Sequence, residues 1–154
     1  MLNALCPARS DYIKRPLLVK GAQVDASVDY YIGISAVLDS HARYLYAKDE
    51  GMENLITGSL AYFGDEERMK AGNPQYILEN GEFERLPTSL LIHGSEDANV
   101  PNHIPANFEL TYRSRGGEIE LVVFDGMPHS FVRDPQPESD EAIEIMKNFI
   151  SRQL

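Results

Sequence analysis

Thr88-Ser89-Leu90-Leu91-Ile92-His93-Gly94-Ser95-Glu96-Asp97-Ala98-Asn99-Val100-Pro101 is the stretch on which the fold turns. Thr88 to His93 follows Pro87 as a short apolar run and ends in Gly94, which reads as a buried strand. Glu118 to Phe124, rich in Ile, Val and Phe, reads as a second buried strand. Between them, Asn102 to Arg113 places Ile104, Phe108 and Tyr112 at helical spacing before a Gly116-Gly117 stop. This strand, helix, strand unit has the length that a right-handed parallel crossover requires, so the fold class is α/β.

Upstream, Tyr30 to Val37 is apolar without helical periodicity, as expected of a parallel strand buried on both faces and ended by Asp39 and Ser40. Ala42 to Leu86 carries helix-like patterning over Arg43 to Lys48, Glu53 to Phe63 and Glu66 to Ala71, interrupted by Gly51 and Gly64. Asn73-Pro74 reads as a stop, and the stretch has no convincing strand. Ser10 to Ser27 is a connection, with Leu17, Leu18 and Val19 too short for a strand. Met1 to Cys6 is the end of a helix stopped by Pro7. Downstream, Ala142, Ile145, Met146, Phe149 and Ile150 recur at helical spacing opposite Glu141, Glu144, Lys147 and Arg152, so one stripe of a final helix packs on the sheet.

The 154 residues suit one domain, and 43% apolar with 25% charged residues is ordinary for a globular chain. With 14 Lys plus Arg against 24 Asp plus Glu the net charge is -10, so nucleic acid and anionic membrane surfaces are not expected partners. The one cysteine, Cys6, excludes an intramolecular disulfide and any C-x-x-C pair. No apolar run approaches the ~18 residues of a membrane span, and Met1 to Pro7 lacks the features of a signal peptide, so the expected setting is cytoplasmic.

Two loops carry the chemistry, because each follows a parallel strand at its C-terminal end, where open α/β sheets place their sites. The first is His93 to Pro101 and the second is Asp125-Gly126-Met127-Pro128-His129-Ser130-Phe131. One crossover brings Asp97 and His129 to adjacent strand ends, where the carboxylate can accept the Nδ1 proton, orient the ring and stabilise its imidazolium. The plainer reading of Asp97 is a turn residue bonding its own loop backbone, and of His129 a loop histidine without a task. His93 reads as a packed or hydrogen-bonded residue, and His41 and His103 as surface residues. The spacing of His93, Asp97, His103 and His129 fits no compact metal motif, so no metal and no cofactor are expected. Tyr44, Tyr46, Tyr62 and Phe63 suit a pocket wall but equally simple packing. Asp134, Glu138, Asp140 and Glu141 solvate a loop and favour the N-terminus of the last helix.

These two loops resemble the C-terminal part of α/β-hydrolases, in which H-G-x-x-D-x-x-V-P carries the triad acid and a later G-x-x-H-x-F carries the triad histidine. Arg43, Tyr44, Tyr62-Phe63-Gly64-Asp65-Glu66 and Asn73-Pro74 also look like the cap region of esterase-like members. The resemblance implies a partial α/β-hydrolase domain over 1–154, with about three parallel strands, flanking helices and a helical cap-like insertion at about 42–86. It implies Asp97 as triad acid, His129 as general base and a small-molecule ester as substrate, with Ser130 standing where many relatives have Gly. A peptidase of the same fold would look alike here.

The family also needs a nucleophile on a G-x-S-x-G elbow, in the order Ser, Asp, His. Gly33-Ile34-Ser35-Ala36-Val37 comes nearest but has Val37 in place of the second glycine. In the family a helix and a further strand separate the nucleophile from the strand before the acid, whereas Ser35 to Leu90 reads as helical throughout. Ser35 is therefore expected to end that further strand. Met1 to Cys6 resembles the rest of the helix after the elbow, so the chain is expected to be a C-terminal fragment whose serine lies upstream. Such a fragment would be inactive alone and could self-associate through the exposed edge of the Tyr30 strand. The alternative, from another class, is a non-catalytic binding or assembly domain with the same architecture.

Overall fold

The computed structural model describes residues 1–7, 18–19, 22–23 and 27–154. A short helix α1 (Leu2–Leu5) is followed by two two-residue antiparallel strands, β1 (Leu18–Val19) and β2 (Ala22–Gln23). The rest of the Ser10 to Ser27 connection, apart from Ser27, lies outside the described residues. The main sheet has three strands, β3 (Tyr30–Ile34), β4 (Thr88–Gly94) and β5 (Ile119–Phe124), in the spatial order β3, β4, β5. Both pairings are parallel, with Ile34 opposite Ile92 and Gly94 opposite Phe124. Helices α2 (Ser40–Asp49), α3 (Glu53–Phe63), α4 (Glu66–Ala71) and α5 (Pro74–Asn80) join β3 to β4. Helix α6 (His103–Ser114) joins β4 to β5, and a 3-10 turn at Phe131–Arg133 leads to α7 (Pro137–Ser151).

The period-two alternation of β4 divides the core between the two faces of the sheet. Leu91 packs with Leu5, Leu38, Ile77, Ile104, Phe108 and Tyr112 beneath α1, α5 and α6. Leu90 and Ile92 point the other way, onto Phe124, Phe131, Ala142 and Phe149 beneath α7. Each fully buried Leu, Ile or Phe stabilises the fold by about 1.5–3 kcal/mol. The α7 stripe read from the sequence makes this layer, with Phe149 buried and meeting the Tyr30 ring edge-on at 5.9 Å.

Burial falls off away from β4. The central strand is buried from Ser89 to Gly94, but β3 is only half-buried and Ile34 is 39% exposed. Val123 of β5 is 48% exposed, because no further strand covers that edge among the described residues. The expectation of strands buried throughout therefore holds for β4 alone. Asn73-Pro74 follows the end of α4, as its reading as a stop expects, and it also starts α5. The Asn73 carbonyl oxygen of the side chain caps Gln75 N–H, and Pro74 occupies the first helical position, where no N–H is needed.

Candidate active site

The C-terminal ends of β4 and β5 bring the acid loop and the histidine loop together. The loops are laced by their backbones: Ser95 N–H donates to Phe124 O at 2.9 Å and Glu96 N–H to Met127 O at 3.0 Å. Gly126 N–H donates to Ser95 Oγ at 2.7 Å. This approach requires glycine at 94, since a Cβ there would collide with the Met127 carbonyl and crowd Pro128 O. On the far side of His129, Phe131 is buried against Phe124 with ring centroids 5.0 Å apart, which anchors the loop in the core.

Asp97, whose side chain is fully buried, divides its two oxygens between the two readings open to the sequence. Oδ1 accepts Asn99 N–H and Val100 N–H, both at 2.8 Å, forming the loop's own turn. Oδ2 lies 2.8 Å from His129 Nδ1, 32 residues away. With the Nδ1 proton on that bond, Nε2 of His129 is left as an acceptor, the form a general base requires. The His129 side chain is 35% exposed and lines a cavity of about 640 Å³ with Met52, Asn54, Leu55, Glu96 and Asn99.

His93 approaches the same carboxylate from below. Its Nε2–H donates to Val100 O at 2.9 Å, while Nδ1 stands 3.9 Å from Asp97 Oδ2. Burial pushes its pKa below the ordinary histidine value, and the nearby Asp97 charge and the Val100 bond only partly oppose this. His93 is thus a neutral brace of the acid loop. His103 is exposed, whereas His41 is half-buried against Glu66, at 3.1 Å, rather than a free surface group. Among the described residues no three His, Cys, Asp or Glu side chains converge as a metal site.

Two contacts are invisible in the motif pattern. Arg43 of α2 donates from Nε to Asn99 O at 3.2 Å and Asn99 Oδ1 at 2.8 Å, tying the helical segment to the acid loop. Burial lowers its pKa, and attraction to Asp97 opposes the shift. Ser35, directly after β3, accepts the N–H of Ser130 on its Oγ at 3.0 Å. Both serines adopt left-handed φ, 45° and 59°, which is the conformation that glycine would supply after the histidine. Ser35 therefore lies on the strand that pairs directly with β4, and its hydroxyl meets the histidine loop's backbone. Tyr62 and Phe63 line a second cavity, of about 840 Å³, which runs along the open side of β3 and includes Arg43.

No protein-family model matches the chain. A probable isoprenylcysteine alpha-carbonyl methylesterase of Arabidopsis thaliana is 26% identical over 82 residues, covering 49% of this chain and 17% of that protein. A thermophilic esterase from Thermogutta terrifontis, solved with propionate bound, superposes with a TM-score of 0.66 at 20% identity, over 98% of this chain and 50% of its own. An acetyl ester-xyloside bifunctional hydrolase from Caldicellulosiruptor lactoaceticus superposes at 0.63 and 17% identity, over 84% of this chain and 44% of its own. The chain thus spans half or less of the length of these proteins. No helix among the described residues is long and apolar enough to cross a membrane. Three parallel strands with helices on both faces, superposing over 98% of the chain on the Thermogutta terrifontis esterase, give the chain the α/β-hydrolase fold.

Proposed function

We propose that the chain supplies the acid and the base of a serine hydrolase acting on carboxylic esters, with Asp97 as the orienting acid and His129 as the general base. The observation that carries this is the 2.8 Å bond from His129 Nδ1 to the buried Asp97 carboxylate, with the histidine side chain partly exposed and lining a cavity. His129 Nε2 takes the proton of a serine hydroxyl as it attacks the ester carbonyl, and returns it to the departing alcohol. Asp97 keeps the ring in the required tautomer and stabilises the imidazolium between those steps. Water then cleaves the acyl-enzyme by the same proton path.

The serine and the oxyanion donors come from sequence outside these 154 residues in this proposal. The chain contains no G-x-S-x-G, and the Ser35 hydroxyl is engaged with Ser130 N–H. The esterase activities of the neighbouring structures and the methylesterase relative support ester chemistry over other bond types. The 154-residue chain alone is therefore expected to leave a short-chain p-nitrophenyl ester unhydrolysed. In-frame coding sequence upstream of Met1 is expected to encode a strand and a G-x-S-x-G elbow. Turnover by the chain that vanished in Ser35→Ala would make Ser35 the nucleophile. An upstream sequence without an elbow would favour a binding or assembly domain.

A further inference from the structure

We infer that Ser35 is a positioning residue for His129, its hydroxyl clamping the histidine loop so that the imidazole stays on Asp97. The inference rests on the acid–base reading of Asp97 and His129. Among the described residues Ser35 and Ser130 are the two non-glycine positions with left-handed φ, and a hydrogen bond spanning 95 residues joins them. Backbone strain of this kind persists only where the surroundings hold it in place, and here each serine is held by the other.

Ser35 is connected on both sides of the site. Its N–H donates to Ile92 O at 2.9 Å, on the strand that leads to Asp97, and its Oγ receives Ser130 N–H at 3.0 Å, directly after His129. Ser35 is buried, with 5% of the residue exposed, so solvent is a poor substitute acceptor. His129 is consequently fixed from two directions. Ahead of it, Glu96 N–H binds Met127 O, and behind it Ser35 binds Ser130 N–H. An elbow serine uses a sharp strand-to-helix turn to present its hydroxyl, whereas the turn at Ser35 places the hydroxyl on the neighbouring loop's backbone.

Nitrogen-15 NMR of the whole 154-residue chain tests this with two internal reporters. One is the His129 Nδ1 proton shared with Asp97, and the other is the His93 Nε2 proton donated to Val100 O, which monitors the acid loop. Ser35→Ala and Ser35→Gly both remove the acceptor, and the glycine variant also relaxes the backbone. In both, exchange of the His129 Nδ1 proton with solvent is expected to become at least about tenfold faster, the worth of a typical hydrogen bond. The His93 reporter should stay unchanged. Protection of the His129 proton within twofold of the parent in Ser35→Gly would overturn the inference. So would simultaneous loss of both reporters, because the hydroxyl would then hold the fold and not the imidazole. A parent chain with no protected His129 Nδ1 proton would instead overturn the acid–base reading, and the clamp with it.

Discussion

Two imidazoles face one carboxylate oxygen in opposite surroundings. His129 stands 2.8 Å from Asp97 Oδ2, with its side chain 35% exposed and lining a cavity; His93 stands 3.9 Å from the same atom with its side chain 2% exposed. Burial holds His93 neutral, and its one proton is spent on Val100 O. The more accessible histidine lies on the loop after β5, and the enclosed one is built into the central strand. Residue type is thus a poor guide to role at a strand end, where access and the second ring nitrogen decide it.

The widest separation between the two should appear in catalysis. In a polypeptide where this chain meets a serine nucleophile, His129→Ala should lower kcat by about 10⁴-fold, and Asp97→Asn should approach that by favouring the wrong tautomer. His93→Gln should lower it by less than about tenfold, since the glutamine amide can still donate to Val100 O. Equal losses in His129→Ala and His93→Gln would erase the distinction.

A smaller effect is expected in stability. Asp97→Ala orphans the N–H groups of Asn99 and Val100, which costs about 1–3 kcal/mol for each left unsatisfied, whereas Asp97→Asn keeps an acceptor and should cost less. Gly94→Ala should destabilise by about 1–3 kcal/mol, because the new methyl forces the histidine loop away from the acid loop. Urea unfolding of the three variants checks the order. Gly94→Ala with parental stability would mean that the loops need not approach so closely.

The smallest expected effect is a pH dependence belonging to His93 alone. Above pH ~6.5 this imidazole is neutral in both folded and unfolded chains, and its contribution is constant. As pH falls below that value the unfolded chain takes up a proton that the folded chain refuses, so stability drops until the depressed folded pKa is reached. The slope cannot exceed about 1.4 kcal/mol per pH unit, the limit for one proton. His93→Gln should flatten the melting temperature between pH 7 and pH 5 relative to the parent. An unchanged slope would remove His93 as its source.

Much of this is legible in the sequence. The helices from Glu53 to Phe63 and Glu66 to Ala71 and the strand from Thr88 end at Gly64, ahead of Asn73-Pro74 and at Gly94, as their sequence signals place them. The meeting of Asp97 and His129 followed from one crossover of ordinary length. Other features depend on what surrounds a residue. Asn73-Pro74 follows the end of one helix and opens the next: an asparagine cap and a proline at the first helical position serve as a start signal as well as a stop, and the packing of Ile77 and Leu78 into the core decides that a helix follows. The exposure of β5 reflects its place at an edge, which pattern alone does not reveal. Arg43 and Ser35 reach their partners from 56 and 95 residues away, beyond any motif window.

That difference in reach has a consequence for how the site is assembled during folding. The contact between Asp97 and His129 closes a span of 32 residues and the serine contact one of 95. Loop-closure entropy alone makes the longer span costlier by about 1 kcal/mol. Chain statistics therefore favour a folding order in which β4, α6 and β5 bring the carboxylate and the imidazole into reach before β3 arrives with its hydroxyl. The latch is then the last part of the site to close, and on unfolding it would be the first to open.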